Sequence, residues 1–72
     1  MNLMSTQSKT LNTKQRAIIL ELAKGHTKRE IARKLHVSYS SVADYIDGLR
    51  KEFQCRNTTQ LVVYCIENGL LK

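Results

Sequence analysis

Apolar residues recur at helical spacing in four stretches of the chain. Ile18, Ile19 and Leu22 form one stripe, with Ala23 at its margin. Ile31, Ala32 and Leu35 share a second face, and Val42, Tyr45, Ile46, Leu49 and Phe53 follow i, i+3, i+4, i+7, i+11 along a third. From Leu61 to Ile66 the residues are apolar without a break. This period predicts three amphipathic helices and a fourth that is apolar nearly all round.

Polar residues mark where these helices begin. Asn12 with Gln15, Thr27 with Glu30, and Asn57 with Gln60 are capping-box pairs, and Ser38 precedes the third apolar run. Such residues accept a hydrogen bond from an otherwise unpaired N–H of the first turn. The first helix is expected from about Asn12 to a stop at Gly25, where a positive φ costs glycine least. The second runs from about Lys28 to Leu35 and the third from about Tyr39 to Phe53. The fourth runs from Asn57 to about Asn68, with Gly69 as stop and Leu70 placed for the apolar contact that accompanies such caps.

The expected fold class is all-α, a four-helix helix-turn-helix domain. The short second helix, the turn at His36 and Val37, and the longer third helix form the helix-turn-helix unit. The second helix of such a unit commonly enters the DNA major groove. The outward face of the third helix carries Ser40, Asp44, Asp47 and Lys51, with Ala43 at one side. Gly48 is unusual in a helix interior. It either admits a close approach by another backbone or helix or is simply tolerated, at a cost of about 1 kcal/mol relative to alanine.

The fourth helix is the place for a partner. Leu61, Val62 and Cys65 can complete the core, but Val63, Tyr64 and Ile66 cannot all point the same way. A helix apolar on two sides in so small a domain is expected to bury the second side against another chain. Self-pairing there would be isologous, as in a two-fold dimer. Leu61, Val63, Tyr64 and Ile66 are the expected dimer or partner contacts. Leu20 is out of phase with its own stripe and should point away from it.

With 72 residues the chain is bounded to one small domain. Residues 1–10 are polar and are expected to form a flexible tail, or a linker to an upstream domain, with residues 11–72 as the folded unit. The net charge of +6 suits a polyanionic partner, although basic proteins that bind none are common. Cys55 and Cys65 make no CxxC pair, and His26 and His36 complete no zinc-finger spacing with them. No cofactor and no metal site are expected, and both cysteines read as small buried apolar residues of a reducing cytosol. No apolar run approaches the ~20 residues that span a bilayer. No membrane partner is expected, and the implied location is cytoplasmic, on the nucleoid when bound to DNA. No nucleophile, base and orienting group can be assembled, nor is there a glycine-rich phosphate loop, so no enzymatic activity is expected.

The residues resemble the LuxR-type, or GerE-like, helix-turn-helix domain of bacterial transcription regulators. The resemblance is carried by Leu11 to Ala23 with Gly25, then Lys28-Arg29-Glu30-Ile31-Ala32 with Leu35, Val37 and Ser38. It continues through Ser41-Val42, Ile46, Leu49, Asn57, Thr59-Gln60 and Gly69-Leu70-Leu71. It implies four helices, the third for recognition and the fourth for dimerisation. The chain departs from the family at several positions that usually carry positive charge. Ala43 and Asp47 stand where lysines are usual, Tyr45 where histidine is frequent, Glu52 in place of a common lysine, and Thr58 in place of an arginine. Ala17 replaces an acidic residue. Positive charge sits instead on Lys28, Arg29, Arg33, Lys34, Arg50, Lys51 and Arg56.

Two functions follow from these patterns. In the first, a DNA-binding transcription regulator places its basic second helix on phosphates and its third helix in the major groove of double-stranded DNA. The expected DNA-contacting residues are Lys28, Arg29, Ser38, Ser40, Ser41, Ala43, Asp44, Asp47, Arg50 and Lys51. Serine reads several base edges, aspartate accepts from cytosine N4, and alanine touches a thymine methyl. The two aspartates oppose binding to a polyanion, and Asp47 can be muted by Arg50 or Lys51 at i+3 and i+4. In the second, the same scaffold binds no DNA. It antagonises or co-regulates another regulator by protein–protein contact, with Leu20, Val63, Tyr64 and Ile66 as candidate contacts.

Overall fold

A computed structural model describes residues 10–71. Apart from exposed Thr10, the expected tail lies outside the described residues. Four helices form in the expected order: α1 (Thr13–Ala23), α2 (Lys28–Leu35), α3 (Tyr39–Glu52) and α4 (Thr58–Glu67). No strand occurs among the described residues.

Each helix begins on a side-chain cap. Asn12, Thr27, Ser38 and Asn57 accept from the backbone N–H groups of Gln15, Glu30, Ser41 and Gln60, respectively. Caps of this kind stabilise a helix by about 1 kcal/mol each. The reciprocal arm closes twice, from Asn12 N–H to Gln15 Oε1 at 2.9 Å and from Thr27 N–H to Glu30 Oε1 at 2.7 Å. The third expected box closes differently: Gln60 Oε1 reaches past Asn57 and accepts from the Arg56 N–H.

All four helices end in the same way. At each end an N–H bonds the carbonyl five residues earlier: His26 to Glu21, Val37 to Ala32, Cys55 to Arg50 and Leu70 to Cys65. This Schellman geometry needs one residue in the left-handed region. Gly25 and Gly69 supply it, with φ of 95° and 68°. His36 and Gln54 supply it at the other two ends, with φ of 58° and 57°, a conformation that strains a side chain.

The core is built from Leu11, Ile18, Ile19, Ile31, Ala32, Val42, Ile46, Leu49, Phe53, Cys55, Leu61 and Cys65. Leu22, Leu35 and Tyr45 are half-buried at its edge, and Leu70 packs on it beyond α4. Leu20 lies off this cluster and is half-exposed, as its phase requires. α1 and α3 each pack against all three other helices, whereas α2 and α4 do not pack on one another. α2 and α4 are therefore joined through a shared α1–α3 floor. At Gly48 nothing lies within 4 Å of where a Cβ would stand. Among the described residues no close approach uses that glycine.

Candidate nucleic-acid interface

The turn between α2 and α3 sets the interface. His36 reverses the chain in the left-handed conformation, and Val37 packs on the core. Ser38 then caps α3, so α3 starts directly beside the first turn of α2. There Thr27, Lys28, Arg29 and Tyr39 line one shallow depression. Lys28 is half-buried, while Arg29 and Arg33 are exposed; none of the three is in an ion pair among the described residues. Tyr39, 53% exposed, stands at the mouth of this depression and was not among the expected contacts. It lies three residues before Val42, in phase with the core stripe, so spacing gave no sign that it stands clear of the core.

Lys34 differs from its basic neighbours. Its ammonium lies 3.1 Å from Oε1 of Glu21 on α1, and Lys24 lies 3.3 Å from Oε2. Glu21 is buried, and His26 Nε2 comes within 3.4 Å of the same carboxylate. The other His26 nitrogen lies 3.7 Å from Glu30. Hydrogen bonding from Lys34, then from Lys24, holds the Glu21 carboxyl below its usual range against the opposing effect of burial. Glu30 is lowered as well, chiefly by the Thr27 backbone N–H of the capping box. This cluster joins α1 to α2.

On the outward face of α3, Ser40, Asp44 and Lys51 are exposed, while Ala43 and Asp47 are half-buried. The three serines are not equivalent. Ser38 Oγ accepts from the Ser41 N–H at 3.0 Å and donates to Ser41 Oγ at 2.9 Å. Ser40 makes only a 3.5 Å contact to Ser38 and faces solvent. Asp47 is bound by both neighbours that its spacing allows. The Arg50 guanidinium donates to Oδ1, and the Lys51 ammonium lies 3.2 Å from Oδ2. Lys51 first, then Arg50, keeps the Asp47 carboxyl below its ordinary value. Arg50 also donates to the Arg56 carbonyl at 3.1 Å. Both backbone groups of Arg56 are thus held, by Arg50 of α3 and Gln60 of α4. Arg50, expected on phosphate, also donates within the protein, to Asp47 and to the Arg56 carbonyl at the α3–α4 connection.

The apolar face of α4 divides. Leu61 and Cys65 are wholly buried, so Leu61 is a core residue and has no surface to offer a partner. Tyr64 stacks on Phe53 with ring centroids 5.2 Å apart and an interplanar angle of 24°. Val63 and Ile66 are 45% and 56% exposed. Burial pushes the Cys65 thiol up, with a smaller effect from Cys55, and both cysteines are free. Among the described residues no cluster of His, Cys, Asp or Glu is arranged to hold a metal, and no helix is long and apolar enough to cross a membrane.

A basic first turn of α2 beside the start of α3, on a four-helix all-α scaffold, invites comparison with known regulators. The model of the bacterial regulatory proteins of the luxR family matches residues 9–65. The chain belongs to the LuxR family. This LuxR-family domain is similar to the response regulator protein VraR of Staphylococcus aureus, Staphylococcus saprophyticus and Staphylococcus epidermidis. It is 26% identical to each over 62 residues. The match covers 86% of this chain but 30% of each relative, so the chain corresponds to less than a third of their length.

Proposed function

We propose that this LuxR-family domain is the double-stranded-DNA-binding part of a transcription regulator. The observation that carries the reading is the placement of Lys28 and Arg29, which make no ion pair among the described residues, against the head of α3. In this reading α3 lies in the major groove, and Lys28, Arg29 and Arg33 neutralise phosphates and fix the register. The Tyr39 hydroxyl is at hand for the same phosphate. Ser40, Ala43 and Asp44 face base edges, whereas Asp47, Arg50, Lys51, Ser38 and Ser41 shape the face that meets them. Family membership and likeness to a protein named as a response regulator support the regulatory role. The domain performs no catalysis and needs no cofactor, and it works in the cytoplasm on the nucleoid.

Val63 and Ile66, with the exposed edge of Tyr64, form the contact for a second copy or another regulator. A two-fold dimer through α4 would read half-sites about one helical turn apart. A second reading, in which the domain acts only on another regulator through this face, is favoured by one observation. Asp44 is an exposed acid on the surface that would meet DNA.

The test is a titration of the folded domain into labelled mixed-sequence duplex, followed by anisotropy at two salt concentrations. Affinity that falls steeply with salt supports groove binding, because each phosphate neutralised adds about 0.9 to the log–log slope. Absence of binding at low salt overturns it in favour of the protein partner.

A further inference from the structure

The outward face of α3 carries two carboxylates in opposite electrostatic states. Both oxygens of Asp47 face cations, Arg50 and Lys51. Asp44, one turn earlier, has no such neighbour among the described residues. Side chains meet along a helix at i±3 and i±4, and for Asp44 those positions are Ser40, Ser41, Asp47 and Gly48. None is a cation. Asp44 is exposed, and among the described residues it makes no ion pair or side-chain hydrogen bond. Gly48 offers no side chain beside it, and the space where its Cβ would stand is open. Among the described residues, therefore, no cation masks the exposed Asp44 carboxylate in the middle of α3.

Such a group is unfavourable near DNA unless it finds a donor. A carboxylate only accepts hydrogen bonds. In the major groove guanine presents two acceptors, and thymine an acceptor and a methyl group. Adenine offers one amino group beside the N7 acceptor. Cytosine presents its N4 amino group with no acceptor of its own alongside. We propose that Asp44 is the specificity-determining residue of α3, requiring a cytosine at one position of the target site and excluding guanine and thymine there. The inference rests on the DNA-binding reading above. It also gives the acid a use. Asp44 weakens contact with every sequence lacking the amino group, so it raises the ratio of specific to non-specific binding rather than affinity itself. Asp47 cannot share this role while its oxygens are held by Arg50 and Lys51.

The test is selection from a randomised duplex pool with the wild-type domain, Asp44→Ala and Asp44→Asn, each first shown to be helical by circular dichroism. Wild type is expected to enrich cytosine at one position. Replacing that cytosine should weaken binding roughly 5- to 150-fold, the range of one good base contact. Asp44→Ala should lose that enrichment, keep the rest of the site and bind mixed-sequence DNA more tightly. Asp44→Asn should move the preference to adenine, whose N6 and N7 an amide pairs in bidentate fashion. The same base preference in wild type and Asp44→Ala overturns the inference while leaving DNA binding intact. A folded wild type that enriches no sequence and binds no duplex overturns the DNA-binding reading itself.

Discussion

The Lys34 ammonium lies 3.1 Å from the buried Glu21 carboxylate and ties the helix-turn-helix unit to α1. The pair spans thirteen residues, so it is a tertiary contact rather than a local helix pair. Glu21 is held below the ordinary carboxyl value of 4.5 by hydrogen bonding from Lys34, with Lys24 adding to it. Asp47 and Glu30 are lowered too. A carboxyl lowered in the native state stabilises the fold fully above its unfolded value, and that stability is lost as pH falls through the native value. Melting temperature should therefore be flat from pH 7 to about pH 5 and fall below about pH 4.5. Glu21→Gln should lower it at pH 7, and the gap to wild type should narrow as pH falls below about 4.5. Thermal melts by circular dichroism check this, and a gap independent of pH would remove the ion cluster as its cause.

Because Lys34 is committed to Glu21, it should contribute little to DNA. Lys28→Ala or Arg29→Ala should each reduce the slope of log affinity against log salt by about 1. Lys34→Ala should leave that slope unchanged while lowering the melting temperature. An equal loss of slope in all three variants would mean that Lys34 leaves Glu21 when DNA binds.

Gly48 is exposed in the middle of α3 with open space around it. Gly48→Ala should therefore stabilise the domain by about 0.5–1 kcal/mol, since alanine fits the helix and restricts the unfolded chain. In a domain of this size that corresponds to a rise of roughly 2–8 °C in melting temperature. A fall would reveal a contact at this position that appears only in an assembly.

What could be read beforehand was what neighbouring residues decide among themselves. Asn12, Thr27, Ser38 and Asn57 each cap a helix because a cap is made within four residues, and Asp47 meets Arg50 and Lys51 for the same reason. The acid at 21 was not legible, because its burial is balanced by Lys34 from another helix. The division of α4 was legible in part: spacing turns Leu61 and Cys65 to the core, where both are wholly buried, and leaves Val63 and Ile66 exposed. What spacing did not decide is that Leu61, also expected at a partner contact, keeps no exposed surface once the helix is docked. Asp44 and Asp47 are the same residue type on the same face, and spacing alone already separates them. Their difference lies in whether a cation stands one turn further on.

His36 and Gln54 hold left-handed conformations at the ends of α2 and α3, where Gly25 and Gly69 serve the other two helices. The left-handed region costs a side-chain-bearing residue roughly 1–2 kcal/mol, partly offset in any glycine variant by the greater freedom of the unfolded chain. Gln54→Gly and His36→Gly should each stabilise by up to about 1 kcal/mol. Gln54→Ala should give no such gain. Denaturant midpoints at constant m-value measure all three.

Leu61 and Ile66 lie on one helix with opposite surroundings, at 0% and 56% exposure. Leu61→Ala opens a cavity beneath α4 and should cost about 2–5 kcal/mol. A domain this small has little stability to spare, so much of the sample should unfold. Ile66→Ala changes only surface and should stay within about 0.5 kcal/mol of wild type as a monomer. If the exposed apolar edge of α4 is where a second copy docks, Ile66→Glu and Val63→Glu should weaken self-association while leaving the helical spectrum intact. Sedimentation of the purified domain over a concentration series separates the cases. Self-association that persists in both charged variants would place the contact elsewhere. A wild type that stays monomeric throughout would overturn self-pairing through α4.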